Sequence, residues 1–130
     1  MAINEVSQGA SGAKEYVEFV VIGTPTCTTI PCVDLRKYIL DDNNGTFSVG
    51  TAGVGIANGC MRLTNVAFWS CIPAGTIIVI YNDADLNASM PAVDTSMTDG
   101  NCRLIIPAGS CGLIEKNTLL PSTGSSTYPT

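Results

Sequence analysis

Residues 15–22, which read Glu-Tyr-Val-Glu-Phe-Val-Val-Ile, decide the fold class of this chain. Successive side chains of an extended chain point to opposite faces, so Val17, Phe19 and Val21 share one face while Glu18 points to the other. An apolar face opposite a mixed one is typical of a half-buried β-strand. The segment therefore predicts a sheet that packs one face on a hydrophobic core.

Other short apolar segments lie on both sides of this strand and are separated by turn-forming residues. We expect further strands at residues 3–6, 46–49, 61–66, 77–81 and 112–115. The Asn44-Gly45 pair favours a hairpin corner just before the second of these. Residues 77–81 are almost continuously apolar and β-branched, which predicts a strand covered on both faces.

A short internal echo marks two of the turns. Residues 72–76 read Ile-Pro-Ala-Gly-Thr and residues 106–110 read Ile-Pro-Ala-Gly-Ser. Proline and glycine suit the second and fourth places of a type I turn, so we expect both copies to be turns that lead into apolar strands. The polar residues 82–99, between the two copies, predict a long loop.

Length and composition predict one domain. The chain has 130 residues, of which 45% are hydrophobic and only 13% charged. Few charges with abundant glycine, proline, serine and threonine suit short strands joined by tight turns better than solvated helices. We expect one all-β domain over residues 1–120, followed by a flexible Ser/Thr/Pro-rich tail or the start of a linker at residues 121–130.

The charge balance bears on partners. A formal net charge of −5 repels phosphate backbones and anionic membrane surfaces, so we expect no nucleic-acid partner. The apolar stretches are far shorter than a membrane-spanning helix requires, and we expect no transmembrane segment. A protein or a surface glycan is the expected kind of partner.

Six cysteines predict a disulfide framework. They are Cys27, Cys32, Cys60, Cys71, Cys102 and Cys111. Proximity along the chain suggests Cys27–Cys32, Cys60–Cys71 and Cys102–Cys111, although six cysteines allow many other connectivities. Structural zinc is the rival interpretation, and it is disfavoured because the chain has neither histidine nor a C-x-x-C pair. Disulfides imply an oxidising compartment, outside the cell or on its surface.

Four segments, in chain order, resemble the lamin tail domain family, which also occurs in exported bacterial proteins. They are Ile-Asn-Glu-Val at 3–6, Glu-Tyr-Val-Glu-Phe at 15–19, Val-Asp-Leu at 33–35 with Tyr-Ile-Leu-Asp-Asp at 38–42, and Ile-Pro-Ala-Gly at 72–75 before the strand at 77–80. The resemblance implies an immunoglobulin-like β-sandwich of about seven to nine short strands. It also implies a non-catalytic module with no uniform ligand residues.

The chain departs from that family at one corner and in its cysteines. Arg36 and Lys37 stand where the family often has a Ser-Gly pair, and Tyr38 stands where it often has tryptophan. The cysteine-bearing insertions are atypical as well.

We expect no catalytic residues. The absence of histidine excludes Ser-His-Asp and Cys-His catalysis and the commonest zinc-hydrolase ligands. A glycoside hydrolase with two carboxylates is the third-ranked alternative, and its candidates would be Glu5, Glu15, Glu18 and Glu115. Solvent-facing glutamates that protect a sheet edge are the preferred interpretation.

A calcium site is the second-ranked hypothesis. Asp83, Asp85 and Asn87 alternate like the start of a calcium loop, and their oxygens are suitable ligands. The glycine and the closing glutamate of an EF-hand are missing, so a solvated polar loop is preferred and no cofactor is expected. The cluster of Asp41, Asp42 and Asn43 is predicted to be a turn.

Two aromatic residues are candidates for contact with a ligand. Phe68 and Trp69 could stack on a sugar ring or on an apolar patch of a partner if they were exposed. Packing against the core or a disulfide is the preferred alternative. The sequence thus favours a secreted or cell-surface structural or interaction module, with a calcium-dependent carbohydrate-binding module as the alternative.

Overall fold

The computed structural model describes residues 1–7, 14–24, 30–41, 60–84 and 86–116. Almost all of their regular structure is β-strand, and the predicted all-β class is confirmed. The strands are β1 (Ala2–Ser7), β2 (Tyr16–Val20), β3 (Cys32–Val33), β4 (Ile39–Asp41), β5 (Cys60–Leu63), β6 (Ile72–Pro73), β7 (Ile77–Tyr81), β8 (Arg103–Pro107) and β9 (Ile114–Lys116). A single turn of 3₁₀ helix at Ala67–Ser70 is the helical element of the described part.

The largest sheet has the strand order β1-β2-β7-β8. β2 pairs antiparallel with β1 on one side and with β7 on the other, so that Phe19 lies opposite Ile3 and Ile78. β7 and β8 run parallel, with Ile78 beside Leu104. The clearest strand in the sequence is therefore an inner strand of this sheet.

A second, three-stranded sheet has the order β4-β5-β9, and β3 pairs with β6 in a two-stranded ribbon. Side chains from both larger sheets belong to a single buried core. The four-stranded sheet contributes Phe19, Ile78, Ile80, Leu104 and Ile106, and the three-stranded sheet contributes Met61, Leu63 and Ile114. Period-two alternation along each strand puts these residues on the face directed at the core.

The far face of the four-stranded sheet is covered near β7 and β8. Parallel neighbours need a crossover connection, and residues 82–102 supply it, with no helix among those of them that the structure describes. Val79, Tyr81 and Ile105 are buried on this face, and Met90 from the crossover packs against them. The prediction that residues 77–81 are covered on both faces is confirmed.

Each strand predicted within the described residues is present, although some bounds differ. β3, β4, β6 and β8 have no counterpart among the predicted strands, and residues 46–49 and 121–130 lie outside the described part. In the two echo turns the N–H of Thr76 donates to the Pro73 carbonyl, and that of Ser110 to the Pro107 carbonyl. Proline is thus the first residue of each turn, one place earlier than predicted.

Within the described residues, no helix has the length and apolar character needed to cross a membrane.

Candidate functional site

One disulfide fastens the β3–β6 ribbon. Cys32 in β3 is bonded to Cys71, the residue before β6, with Cα atoms 4.9 Å apart. The antiparallel register sets Val33 opposite Ile72 and so brings together two cysteines that are 39 positions apart in sequence. The predicted pairs Cys27–Cys32 and Cys60–Cys71 are therefore wrong, because proximity along the chain did not account for this register.

Cys102 and Cys111 are free, exposed thiols, so their predicted bond is also wrong. They lie at opposite ends of β8, whose five residues span roughly 17 Å at the rise of an extended chain. Disulfide-bonded cysteines need Cα atoms within about 7 Å of each other. Cys27 and the side chain of Cys60 lie outside the described part of the chain.

Trp69 belongs to the core and is withdrawn as a ligand candidate. Its side chain is fully buried, and its indole N–H donates to the backbone carbonyl of Leu113 at 2.8 Å. The 3₁₀ turn directs the ring inward, and the Trp69 carbonyl accepts the N–H of Leu35. A ring without an exposed face cannot stack on a sugar, so Trp69 instead ties two chain segments to the core.

Phe68 is half-buried and packs edge-on against Trp69, with ring centroids 4.7 Å apart. Its contact with a fully buried ring is a packing contact. Phe68 and Trp69 therefore do not form an exposed platform on which a sugar ring could stack.

The residues of the alternative calcium hypothesis make separate structural contacts. Asp83 follows β7 and accepts the N–H of Gly109 at 2.8 Å. Asn87 accepts the N–H of Ser89 and closes a local turn, while Asp85 lies outside the described residues. Across the described ranges, no three His, Cys, Asp or Glu side chains form a group that could hold a metal ion.

A polar network stiffens the end of the crossover. The amide of Asn101 donates to Asp94 Oδ2 and Asp99 Oδ2, at 2.7 and 2.6 Å. The bond from Asn101 to Asp94 lowers the pKa of the Asp94 carboxyl, because the amide stabilises the charged form, and the backbone N–H of Ser96 adds to this effect. Asp94 also pairs through its backbone with Ile105, so the network anchors the crossover to the outer edge of β8.

The structure brings together two of the predicted carboxylate candidates. Glu5 in β1 lies directly opposite Glu18 in β2, on the face of the sheet away from the core. Asn4 donates its amide to Glu18 Oε1, and the Tyr16 hydroxyl donates to Glu5 Oε1, both at 2.5 Å. The hydrogen bond to Glu5 raises the pKa of Tyr16, and burial and the two carboxylate charges add to the shift.

The other two candidates lie elsewhere. Glu15 precedes β2, and its backbone carbonyl accepts the N–H of Asn82. Glu115 in β9 forms a cross-strand ion pair with Arg62 of β5, with Oε1 and Nε 2.7 Å apart. The four glutamates therefore do not form one site.

A charged corner follows β3. Arg36 donates through its backbone N–H and its guanidinium to Asp34, and these bonds lower the pKa of Asp34 to about 2. Lys37 has a positive φ of 64°, and its N–H donates to the Leu63 carbonyl. In the sequence, the unusual Arg36-Lys37 pair and Tyr38 are the features that mark this corner.

Comparison of the chain with protein-family models, with curated proteins and with solved structures finds no match.

Proposed function

We propose that this chain is a non-catalytic structural or interaction module, secreted or held on the cell surface, and an accessory domain of a larger protein. The observation that carries the proposal is the Cys32–Cys71 disulfide. Such bonds persist in oxidising compartments and are rare where thiols are kept reduced. The bond joins the two short strands β3 and β6, and such a cross-link would reduce the ordering that docking of a partner requires.

The proposed architecture is an immunoglobulin-like sandwich of the lamin-tail type. Two sheets that share one core are compatible with it. The corner after β3 supplies further support, because Lys37 has the left-handed backbone that glycine favours. Lys37 stands where the resembling family often has glycine. If the corner has the same backbone conformation in both, lysine at this position is compatible with the fold in which the family has glycine.

The candidate catalytic, metal-binding and stacking residues make structural contacts, and this favours an interaction role. Glu115 is engaged with Arg62, Asp83 with Gly109, and Trp69 with the core. Each stabilises a junction between elements. A pre-ordered module of this kind binds with a reduced entropic cost, because little of its surface has to be ordered on docking.

Mapping the oxidation state of the cysteines tests the localisation. The protein is isolated from the exported and the internal fractions of its source cells, alkylated before and after reduction, and digested for mass spectrometry. We expect the protein in the exported fraction, with Cys32 and Cys71 linked. Recovery from the internal fraction with both thiols free would overturn the proposal of a secreted module.

Two measurements on one preparation test whether the module binds calcium or acts as an enzyme. Calcium is titrated and thermal unfolding is followed, and hydrolysis of a glycan panel is assayed. We expect an unchanged melting temperature and no hydrolysis. A saturable, calcium-dependent stabilisation that Asp83→Ala abolishes would replace the proposal with the calcium-dependent carbohydrate-binding alternative. Hydrolysis that Glu5→Gln or Glu18→Gln abolishes would replace it with an enzyme.

A further inference from the structure

β1 is an outer strand of the four-stranded sheet, and no described strand pairs with its far side. Its four central residues, Ile3 to Val6, are all exposed. An outer strand carries unpaired backbone N–H and C=O groups, which can pair with an added strand. The segment Ala2–Ser7 contains no proline or lysine, and the charged residue that does protect this edge, Glu5, repels acidic strands but attracts cationic ones. A bulge at Asn4 is the one irregularity in its pairing with β2.

The side of β1 that faces the core is apolar and uncovered by the described residues. Ile3 and Val6 lie opposite Phe19 and Val17, on the core face of the sheet. Phe19 is buried, whereas Ile3 and Val6 are 65% and 51% exposed. The apolar layer therefore extends past the described core to the sheet edge. Apolar side chains on an added strand would bury both residues.

The opposite side of β1 is acidic. Glu5 and Glu18 are directly opposed across the strands, an arrangement that is unfavourable for like charges. Their hydrogen bonds come from the neutral donors Asn4 and Tyr16. The ion pairs of the described residues are Asp34–Arg36 and Arg62–Glu115, and neither involves these two glutamates. A cation on an added strand would relieve the repulsion.

Charge selects the occupant. A second copy of the chain would bring another Glu5 to the edge, and each copy has a net charge of −5. Residues 117–130 of the same chain contain neither lysine nor arginine. A partner polypeptide with a cationic, alternating segment satisfies both faces at once, because side chains along a strand alternate between them.

We infer that the exposed edge of β1 binds an extended segment of a cationic partner protein as an additional strand. Apolar side chains of that segment pack on Ile3 and Val6, and its Lys or Arg side chains pair with Glu5 and so offset the repulsion between Glu5 and Glu18. This inference rests on the proposed function as an interaction module, and it names the surface and the chemistry of the partner.

Defined peptides test the pairing on the full chain. The probe is a labelled peptide of about eight residues that alternates lysine and valine, and binding is followed by fluorescence anisotropy. There are three control peptides. The first has glutamate in place of lysine, and the second has the same lysine and valine residues grouped in two blocks. The third carries N-methyl groups on the alternate amides that would pair with β1. We expect saturable binding of the alternating lysine peptide alone, with new hydrogen-exchange protection of β1 amides in its complex.

Matched variants separate strand addition from bulk charge. Glu5→Gln is expected to weaken binding by about fivefold, whereas Glu115→Gln, which removes the same charge from the other sheet, should leave it within about twofold. Equal losses in both variants, or equal binding of the block peptide, would mean charge attraction alone and would overturn the inference.

Two further outcomes identify a different occupant. If β1 amides are protected from exchange in the isolated monomer, a segment of the same chain covers the edge. If sedimentation shows a dimer that Val6→Lys dissociates, a second copy covers it. Either result would overturn the inference of an external partner. The proposed function would stand if the cysteine map and the calcium titration still gave their expected results.

Discussion

The carboxylate of Asp83 accepts the backbone N–H of Gly109 at 2.8 Å and thereby joins the residues that follow β7 and β8. A side chain at position 109 would compete for the same space, since its Cβ would lie 2.5 Å from Asp83 Oδ2. This contact shows why a glycine follows Pro107-Ala108 in the second echo turn. Asp83, a candidate ligand in the alternative calcium hypothesis, thus connects two parallel strands at one end.

Removing either partner of this contact should destabilise the chain to a similar extent. We expect Asp83→Ala and Gly109→Ala each to lower the free energy of unfolding by about 1 kcal/mol, because each disrupts the same exposed hydrogen bond. The double variant should lose less than the sum, since Asp83→Ala also removes the atom that the new Cβ meets. Urea titration measures all three.

Gly112→Ala provides the control for that cycle, because a Cβ at Gly112 meets nothing within 4 Å. Its effect should be small and should add to that of Asp83→Ala. Strict additivity between positions 83 and 109 would contradict the assigned contact.

Loss of the Cys32–Cys71 bond should cost about 4 kcal/mol, the loop-closure value for a separation of 39 residues. The test compares urea unfolding of the Cys32→Ser/Cys71→Ser variant with the oxidised chain. A reducing agent should lower the oxidised chain to the same stability and leave the variant unchanged. Cys102→Ser/Cys111→Ser is the matched control and should retain the stability of the oxidised chain. A large effect of the reductant on the Cys32/Cys71 variant would indicate another bond.

Lys37→Gly should stabilise the chain by about 0.5 kcal/mol. A side chain in the left-handed region costs about 1 kcal/mol, and the greater freedom of glycine in the unfolded state offsets part of that gain. Lys37→Ala retains the backbone cost and removes the same charge, so it should behave like the parent. Thermal and urea unfolding of the three proteins decide the order, and a glycine variant less stable than the alanine variant would contradict the assigned corner.

The Asp34 carboxyl should titrate near pH 2, because Arg36 stabilises its charged form. A pKa below the unfolded value of about 3.9 means that the stabilisation is fully present above pH 4 and is lost as the pH falls through 2. Asp34→Asn should therefore reduce the decline in stability between pH 4 and pH 2. NMR titration reports the pKa directly, and Arg36→Gln should raise it towards the ordinary aspartate range.

The strands that could be predicted are those with a strong local pattern. β2 and β7 carry period-two alternation or a continuous β-branched run, and both were predicted within two residues of their ends. β8 has no predicted counterpart because its apolar residues run straight into the Pro107 turn, and the Pro-Gly pattern of that turn predicts only the strand that follows it. Its parallel place beside β7 depends on the path of a long crossover that has no local signature.

The contacts of the candidate site residues were harder to predict because they join residues that are distant in sequence. Trp69 was predicted to pack in the core in preference to binding a ligand, and its burial agrees with that preference. The opposition of Glu5 and Glu18 follows from the β1–β2 register, including its bulge, which no pattern in the sequence specifies. The same is true of Cys32 and Cys71.

The register of the central pair of strands also sets an order of events during folding. β2 pairs with β7, so Phe19 meets Ile78 only after the long intervening chain has been closed into a loop. Contacts so distant in sequence make folding slow, on the scale of milliseconds to seconds for domains of this kind. During synthesis from the N-terminus, β1 and β2 emerge well before β7. The apolar face of β2 therefore stays exposed until β7 has been synthesised. During this interval we expect the chain to be most prone to associate with other nascent chains.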